Sequence, residues 1–562
     1  MDWKSRWEQW KLRADDAYVR ADLETMTEEK ARERFSNDLE FGTGGLRGII
    51  GAGTDRMNVY TIRKATQGFA QYIKEHGPDA MAAGVAIAHD NRRQAREFTL
   101  ATAGVLAANG IKAWVFDSLR PTPELSFAVR HLGCFGGIVI TASHNPPQYN
   151  GYKLYDATGC QLVPQFSDAV TERIARISDE LDIPCLAPEQ AGDLIQTIPA
   201  SLDEAYYQAV LAIQLNPGLD KRGLKIVFSP QHGTSNVPVR EVLGRLGYDL
   251  HVVEEQAWPD PEFSNTKNPN PEERVAFDLA VEQARACGAQ LIITTDPDAD
   301  RLGVAVLHGG DYVFLSGNQT GAVLLEYILG QRKEQGTLPA NGIVINTIVT
   351  SDLGDRIARA YGMATEKTLT GFKFIGDRIR DHEASGQHTY VFGYEESYGY
   401  LISPIARDKD AIQAVLMLCE CATYYHHKGM TLKDALDAVF AKYGTFIESL
   451  FSIALEGSAG QARIAEIMAT LRAQPPAELA GTPVVAVDDY ETLLRTAGGQ
   501  TTRLTLPKSD VLKFLLVDGS WAAVRPSGTE PKCKFYFCAQ GATAEEARQR
   551  MQGMRSYFEQ FR

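Results

Sequence analysis

Residues 84–141 read GVAIAHDNRRQAREFTLATAGVLAANGIKAWVFDSLRPTPELSFAVRHLGCFGGIVIT. The segment opens on a short β-branched and apolar run, continues as a helical pattern that closes on Gly110, and then repeats strand, helix and strand. A glycine at that point suits the left-handed cap of a helix. Strands that alternate with helices indicate a parallel sheet with helices on both faces. This stretch therefore predicts an α/β domain.

The same order of elements recurs twice further along the chain. The second unit opens at LKIVFSPQHGTSN (224–236) and ends at AQLIITT (289–295), and the third opens at GIVINTIVTSD (342–352) and ends at HTYVFG (388–393). The second strand of the third unit is weaker than its counterparts. The sequence thus predicts three similar α/β domains with mixed, mainly parallel sheets.

After about residue 445 the pattern changes. Residues 488–540 have the character of strands and turns, and a helix is expected from Ala542 onward, so this part is predicted to be an α+β domain. A chain of 562 residues has room for several domains of about 100–200 residues each. The predicted domains are 1–200, 201–315, 316–443 and 444–562.

Composition excludes several classes of protein. The chain is 44% hydrophobic and 23% charged, as in ordinary globular proteins, and its net charge of -14 opposes a general attraction to nucleic acid or to an anionic membrane. The N-terminal segment MDWKSRWEQW has no apolar core of a signal peptide, and no apolar run reaches the roughly 18 residues of a membrane helix. We expect a soluble cytoplasmic protein without nucleic-acid or membrane partners.

Trp3, Trp7 and Trp10 recur at helical spacing and share one face of a short helix. One interpretation is an anchor at a membrane surface, and the other is packing against the chain's own first domain. Acidic residues interrupt the polar face of this helix, so packing against the first domain is favoured.

An acidic loop, DPDADR, follows the last strand of the second unit. Alternate residues of an extended segment point the same way, so Asp296, Asp298 and Asp300 are expected to converge. Three such anions call for a divalent cation, and oxygen ligands select magnesium or manganese over zinc. An EF-hand is excluded because Arg301 replaces its glycine and Leu307 its glutamate. A solvated acidic turn is the alternative.

A serine follows the last strand of the first unit. Ser143 stands in TASHNPP, where a serine is often only a turn or cap residue, and neither a GxSxG elbow nor a catalytic triad is apparent. Lys153, in NGYKLY, either returns to the same pocket as a proton acceptor or phosphate contact, or is a surface lysine.

Three further loops carry polar chemistry. RPSGTEPKCK (525–534) offers a guanidinium, hydroxyls and backbone N–H groups beside a glycine, all of which suit a phosphate. A polar turn without a ligand would have a similar sequence. GYEESYGY (393–400) offers Glu395, Glu396 and Ser397 to sugar hydroxyls, or is a solvated face. FGTGGLRG (41–48) places one arginine among glycines and is not a nucleotide-binding loop.

In their order along the chain, four of these motifs resemble those of the α-D-phosphohexomutase superfamily, which comprises the phosphoglucomutases and phosphomannomutases. The resemblance covers nearly the whole chain, from FGTGGLRG to RPSGTEPK, and is greatest to the larger bacterial α-phosphoglucomutases. It implies three α/β domains and a C-terminal α+β domain around a central cleft. It also implies an intramolecular phosphotransferase of the isomerase class that acts on sugar phosphates.

The expected activity is that of a phosphoglucomutase, which interconverts α-D-glucose 1-phosphate and glucose 6-phosphate through a phosphoserine and a glucose 1,6-bisphosphate intermediate that also serves as activator. A phosphomannomutase, a phosphopentomutase, a metal-dependent sugar phosphatase and a non-catalytic sugar-phosphate sensor are the alternatives. A GEES-type loop suits glucose phosphates, whereas a GEMS-type loop would indicate use of both mannose and glucose.

The resemblance also implies roles for particular residues. The phosphoserine is Ser143, which would share one magnesium ion per chain with Asp296, Asp298 and Asp300. Charge stabilisers and proton carriers beside the serine are Arg47, His144 and Lys153. Substrate is contacted by Arg301, Thr370, Gly371, Lys373, Glu395 and Ser397, and its non-reacting phosphate by Arg525, Ser527, Gly528, Thr529 and Lys534. The sequence predicts neither an oligomeric state nor any regulation.

Overall fold

The structure is a computed structural model that describes residues 2–42, 44–455, 457–527 and 532–562. It divides into two compact units, one formed by Met1–Thr320 with Phe372–Thr431 and the other by Gly321–Gly371 with Leu432–Arg562. Each unit is described by itself. The four predicted domain ranges differ from this division and stay predictions.

The first sheet of the first unit has the strand order β1-β5-β4-β2-β3-β6. Strands β2, β3, β4 and β6 pair in parallel, and β5 adds antiparallel pairs with β4 and β1. The carboxyl ends of β2 and β4 therefore lie side by side. The strands are β1 (Gly45–Ile49), β2 (Val85–His89), β3 (Ala113–Val115), β4 (Gly136–Ile140), β5 (Tyr149–Asp156) and β6 (Ile195–Thr197).

Helices flank this sheet, and local signals fix their ends. Asn58 and Thr61 form a capping box at the start of α4, and Gly133 ends α7 in the left-handed conformation, at φ 65°. Trp7 and Trp10, on α1, are buried in the same core as the apolar face of α4. The helices are α1 (Trp3–Arg13), α2 (Ala17–Glu24), α3 (Glu28–Phe35), α4 (Val59–Glu75), α5 (Pro78–Ala83), α6 (Ala95–Ala108), α7 (Thr122–Leu132), α8 (Pro164–Ala175) and α9 (Ser201–Leu211).

The second sheet of this unit has the order β11-β10-β9-β7-β8. Strand β7 pairs in parallel with β8 and β9, while β10 is antiparallel to β9 and to β11. Its elements are β7 (Lys225–Ser229), α10 (Asn236–Arg245), β8 (Asp249–Val252), α11 (Asp278–Cys287), β9 (Leu291–Thr295), β10 (Leu302–His308) and β11 (Asp311–Leu315).

The third αβ repeat contributes to both units. Strands β12 and β13 pair in parallel in the second unit, and β14 and β15 form an antiparallel pair in the first. In chain order the elements are α12 (Gly317–Glu334), β12 (Gly342–Thr347), α13 (Leu353–Ala360), β13 (Ala364–Thr368), α14 (Phe372–Ser385), β14 (Thr389–Glu395), β15 (Gly399–Leu401), α15 (Ala411–His426) and α16 (Leu432–Tyr443).

The C-terminal part of the second unit is an antiparallel sheet of order β16-β23-β22-β21-β18-β19-β20, with β17 paired to β18 and α17 and α18 packed on it. Its elements are β16 (Thr445–Ala454), α17 (Gly457–Ala473), β17 (Glu478–Leu479), β18 (Thr482–Asp489), β19 (Leu494–Ala497), β20 (Gln500–Arg503), β21 (Leu512–Leu516), β22 (Trp521–Pro526), β23 (Lys532–Gly541) and α18 (Ala544–Glu559). Among the described residues, no helix combines the length and apolar character needed to traverse a bilayer.

Candidate active site

Ser143 lies at the carboxyl edge of the first sheet, three residues beyond β4. Its φ of 51° is in the left-handed region, which is uncommon for a residue with a side chain. The backbone N–H of Ser143 donates to Thr141 Oγ1 at 2.8 Å, so the turn is tied to the end of the strand. The serine is 4% exposed and is thus shielded from bulk water.

The hydroxyl of Ser143 meets the acidic loop of the second sheet. Its Oγ donates to Asp296 Oδ2 at 2.6 Å and lies 3.2 Å from His144 Nδ1. The structure therefore brings the serine, its neighbouring imidazole and the acidic loop together, although Ser143 and Asp296 are 153 residues apart.

The acidic loop is a turn, so the predicted extended segment is wrong. Ala299 has a left-handed φ of 57°, and its N–H donates to the carbonyl of Asp296 at 3.0 Å. The N–H groups of Asp300 and Arg301 both donate to Asp296 Oδ1, at 3.0 and 2.9 Å. These bonds fold the chain around one carboxylate, as aspartate side chains do in turns.

The three carboxylates nevertheless converge, with ligand atoms within 4.8 Å of one another. All three are buried, and among the described residues no hydrogen bond reaches Asp298 Oδ1 or Asp300 Oδ1. Burial, together with the two neighbouring carboxylates, raises the pKa of Asp296. Buried carboxylate oxygens at this spacing, two of them without a hydrogen bond among the described residues, fit a hard divalent cation, which Asp296, Asp298 and Asp300 would hold.

Two lysines face the acidic cluster. Lys153 Nζ lies 2.9 Å from Asp298 Oδ2 and 3.7 Å from Asp300 Oδ2, and Lys409 Nζ lies 3.1 Å from Asp300 Oδ2. Burial alone would lower the pKa of Lys153, but Asp298 and Asp300 raise it, so the ammonium stays charged. Lys409 was not among the predicted residues. Its signal in the sequence is the polar run RDKD (407–410), a few residues beyond β15.

The other predicted residues of the first unit lie on strands, on a helix and in turns. Arg47, exposed on β1, donates to Asn145 Oδ1 at 3.2 Å, and Asn145 is separated from Ser143 only by His144. Arg301 follows the acidic loop and forms an ion pair with Glu272. Lys373 is buried at the start of α14, Glu395 is buried at the end of β14, and Ser397 is half-buried in the turn after it.

The predicted residues of the second unit are placed only within that unit. Thr370 and Gly371 follow β13, and Arg525 on β22 lies directly opposite Lys534 on β23. The N–H of Ser527 donates to the Lys532 carbonyl at 2.7 Å. Gly528 and Thr529 lie outside the described residues.

Thr122 is a further residue that sequence reasoning missed. Fully buried at the start of α7, it donates through Oγ1 to Asp298 Oδ2 at 3.0 Å and through its N–H to the Asp298 carbonyl at 2.9 Å. The sequence contains the signal, because a polar residue at a helix start offers both donors to an anion. Thr122 follows the second strand of its repeat, whereas the loops predicted to carry chemistry follow the third strands.

Four consecutive parts of the chain match the domains of one family, described as "Phosphoglucomutase/phosphomannomutase". Domain I, II and III of the alpha/beta/alpha type match residues 38–181, 204–309 and 316–443, and the C-terminal domain matches 455–555. The chain belongs to this family. The predicted superfamily, the fold of three α/β domains plus a C-terminal domain, and the class of intramolecular phosphotransferase are thereby confirmed.

Individual relatives of the family extend over nearly the whole chain. A phosphoglucomutase of Staphylococcus epidermidis is 38% identical over 529 residues, 93% of this chain and 94% of its own. The crystal structure of parafusin, a phosphoglucomutase of Paramecium, in its open form has a TM-score of 0.67 at 20% identity, covering 93% of this chain and 94% of its own.

Magnesium is present in one solved structure of similar fold. The N-acetylphosphoglucosamine mutase of Aspergillus fumigatus was solved with GlcNAc-6P and magnesium, and this chain resembles it with a TM-score of 0.50 at 15% identity, over 93% of this chain and 96% of that one. The family, described as "Phosphoglucomutase/phosphomannomutase", implies sugar phosphates as the class of substrate.

Proposed function

We propose that the protein is a phosphoglucomutase that interconverts α-D-glucose 1-phosphate and glucose 6-phosphate. The observation that carries the proposal is the 2.6 Å contact between Ser143 Oγ and Asp296 Oδ2 in a buried carboxylate cluster. The curated relatives named phosphoglucomutase cover 93% or more of this chain. The loop GYEESYGY, with Glu395 and Ser397, supports glucose over mannose.

In the proposed reaction phospho-Ser143 transfers its phosphoryl group to the free hydroxyl of the sugar phosphate. The bond between phosphorus and Oγ breaks and a bond to the sugar oxygen forms. The hydroxyl proton passes to a neighbouring base such as His144, and the released Oγ takes up a proton and becomes a hydroxyl again. The resulting glucose 1,6-bisphosphate turns round and returns its other phosphoryl group to the serine. The second transfer, from the bisphosphate to Ser143, uses the same chemistry as the first transfer in the reverse direction.

The chain's own side chains would assist by alignment and by charge neutralisation, since phosphoryl transfer leaves little covalent chemistry to the protein. The charged ammonium of Lys153 lies within the acidic cluster and would stabilise the transferring group, and Arg47 would flank it. Burial of Ser143 would keep water from taking the phosphoryl group. Arg525, Ser527 and Lys534, with Gly528 and Thr529, are proposed to bind the phosphate that does not react.

One magnesium ion per chain is proposed at Asp296, Asp298 and Asp300, where it would offset the charge of the phosphoryl group on Ser143. Glucose 1,6-bisphosphate is proposed as the activator that phosphorylates a serine that has lost its phosphate. The cytoplasmic location and the absence of nucleic-acid partners stay predictions from the sequence.

A substrate panel tests this function. We expect wild type to turn over glucose 1-phosphate faster than mannose or ribose 1-phosphate, with little release of free phosphate. Ser143→Ala should abolish turnover and phosphopeptide labelling by glucose 1,6-bisphosphate. Ser167→Ala is the control, because Ser167 is equally buried in the first domain but bonds only the Pro164 carbonyl of its own helix. Equal turnover by the Ser143→Ala variant and wild type would reject the nucleophile, and rapid phosphate release would select a phosphatase.

A further inference from the structure

We propose that Arg92 is a positioning residue that holds Ser143 in its left-handed conformation and thereby aims its oxygen at the acidic cluster. The inference rests on the proposed role of Ser143 as the nucleophile. Arg92 belongs to the loop after β2, the strand that lies beside β4 in the sheet. It is 3% exposed, so its contacts are made with protein.

The Arg92 guanidinium binds the backbone of the serine loop at four points. Nη2 donates to the carbonyls of Ser143 at 2.5 Å and Asn145 at 2.6 Å. Nη1 donates to the carbonyls of Pro146 at 2.9 Å and Tyr149 at 3.0 Å. Four N–H groups of one rigid plane are thus matched to four carbonyls of one loop, and this pattern is available only to arginine.

The same residue is anchored to the other side of Ser143 through Asp90. Arg92 Nε lies 3.2 Å from Asp90 Oδ2, and both side chains are inaccessible to solvent. Asp90 Oδ2 accepts a hydrogen bond from Thr141 Oγ1 at 2.6 Å, and Thr141 Oγ1 accepts one from the N–H of Ser143 at 2.8 Å. Both backbone groups of the serine are therefore fixed by one buried ion pair, which offsets the strain of a left-handed φ.

A loop of the second sheet completes the surroundings of Arg92. The ring of Phe263 lies 5.2 Å from the guanidinium carbon, and Asn91 Nδ2 donates to the Asp260 carbonyl at 2.8 Å. The guanidinium thus lies between the serine loop and the part of the chain that also supplies the acidic cluster. A change at Arg92 is therefore expected to alter the distance between Ser143 Oγ and the acidic cluster, while the arrangement of the three aspartates within the cluster stays the same.

Arg92→Lys keeps a positive charge but offers three N–H groups without a plane. The serine loop then loses at least one of its four anchors, and a displacement of Ser143 Oγ by about 1 Å lowers the rate of transfer about 10²-fold. Arg92 contacts the loop backbone, so KM for glucose 1-phosphate should stay within about threefold of wild type. Affinity of the unphosphorylated enzyme for Mn²⁺ should also stay within threefold, because the three aspartates are unchanged and no phosphate on Ser143 contributes.

The experiment uses the full-length magnesium enzyme phosphorylated with glucose 1,6-bisphosphate. It measures kcat, KM, single-turnover transfer from the phosphoenzyme and melting temperature for wild type, Arg92→Lys and Arg92→Ala, and Mn²⁺ affinity on the same proteins without phosphorylation. Arg56→Lys is the matched control, since Arg56 is a buried arginine of the same domain that pairs with Glu33 and Asp55 on the side of the N-terminal helices. The control should lose thermal stability and keep kcat.

The expected result is a selective loss of single-turnover transfer in Arg92→Lys, together with partial recovery of Arg92→Ala by millimolar guanidinium ion. An Arg92→Lys enzyme with kcat within threefold of wild type would overturn the proposal. So would an Arg92→Lys protein that is unfolded, or whose kcat and Mn²⁺ affinity fall together, since either result assigns Arg92 a purely structural role. Activity of Ser143→Ala would instead remove the proposed nucleophile, so the two failures are distinguishable.

Discussion

Gly233 offers a direct test of how closely the acidic loop must be placed. It lies in the loop after β7, where the N–H and Oγ1 of Thr234 donate to the Pro297 carbonyl at 2.8 and 3.0 Å. Pro297 stands between two of the three aspartates. A Cβ added at Gly233 would lie 2.4 Å from Pro297 Cα and 2.5 Å from its carbonyl oxygen. Gly233 itself is not left-handed, so the effect of Gly233→Ala is purely steric.

The size of the effect follows from that distance. Ordinary van der Waals contact for a Cβ begins near 3.4 Å, so Pro297 has to move by about 1 Å. Both neighbours are backbone atoms, and overpacking of this kind costs about 1–3 kcal/mol. A shift of about 1 Å between Ser143 and the acidic loop is expected to lower kcat about 10²-fold. Mn²⁺ affinity should fall as well, because Asp296 and Asp298 flank the displaced residue.

The assay is titration calorimetry with Mn²⁺ together with steady-state turnover of glucose 1-phosphate. Gly244→Ala is the control: the same substitution in the same domain, in a helix, where an added Cβ meets nothing within 4 Å. It should gain about 0.5–1 kcal/mol of stability and keep full activity. Unchanged Mn²⁺ affinity and unchanged kcat in Gly233→Ala would refute the steric argument.

Two further predictions concern buried polar groups. Burial raises the pKa of Asp410 to about 6 from 3.8, so between these pH values the folded protein keeps a proton that the unfolded chain has released. The free energy of unfolding should therefore fall by about 3 kcal/mol as pH rises from about 4 to 6. In urea unfolding measured at several pH values, Asp410→Asn should remove this dependence on pH. Thr122→Val removes the donor to Asp298 and should lower Mn²⁺ affinity about 10–100-fold by calorimetry, whereas Thr99→Val, which loses only a bond to the Ala95 carbonyl of its own helix, should not.

The fold was predictable because the spacing of apolar residues along the chain indicates which segments are strands and which are helices. Each apolar run that the sequence indicates as the first or third strand of a repeat is a strand: β2 and β4, β7 and β9, and β12 and β14. The antiparallel strands β5 and β10 were not assigned from the sequence. Both strands begin just after the functional loops, and a strand that turns back antiparallel to the strand before it lacks the helix that marks a parallel crossover.

The candidate site was predictable where chemistry is concentrated along the chain. Asp296, Asp298 and Asp300 fall within five residues, and the cluster they form does not depend on knowing the rest of the fold. The turn that they adopt does not follow from their alternation, which fits an extended segment equally well. A carboxylate that accepts two N–H groups of its own loop, as Asp296 does, produces convergence by a different route.

What the sequence could not supply is the support that comes from other strands. Arg92, Thr122 and Lys409 contact the serine loop or the aspartates from distant parts of the chain, and the local signals at Thr122 and Lys409 do not show which loop each one reaches. For Arg92 this contact arises from the order of strands, because β2 and β4 are neighbours only once the sheet is formed. The loops after the first strands therefore act on the same point as the loops after the third. Mutational effects at Arg92 and Thr122 are thus expected to follow distance from the Ser143–Asp296 contact, and not membership of a motif.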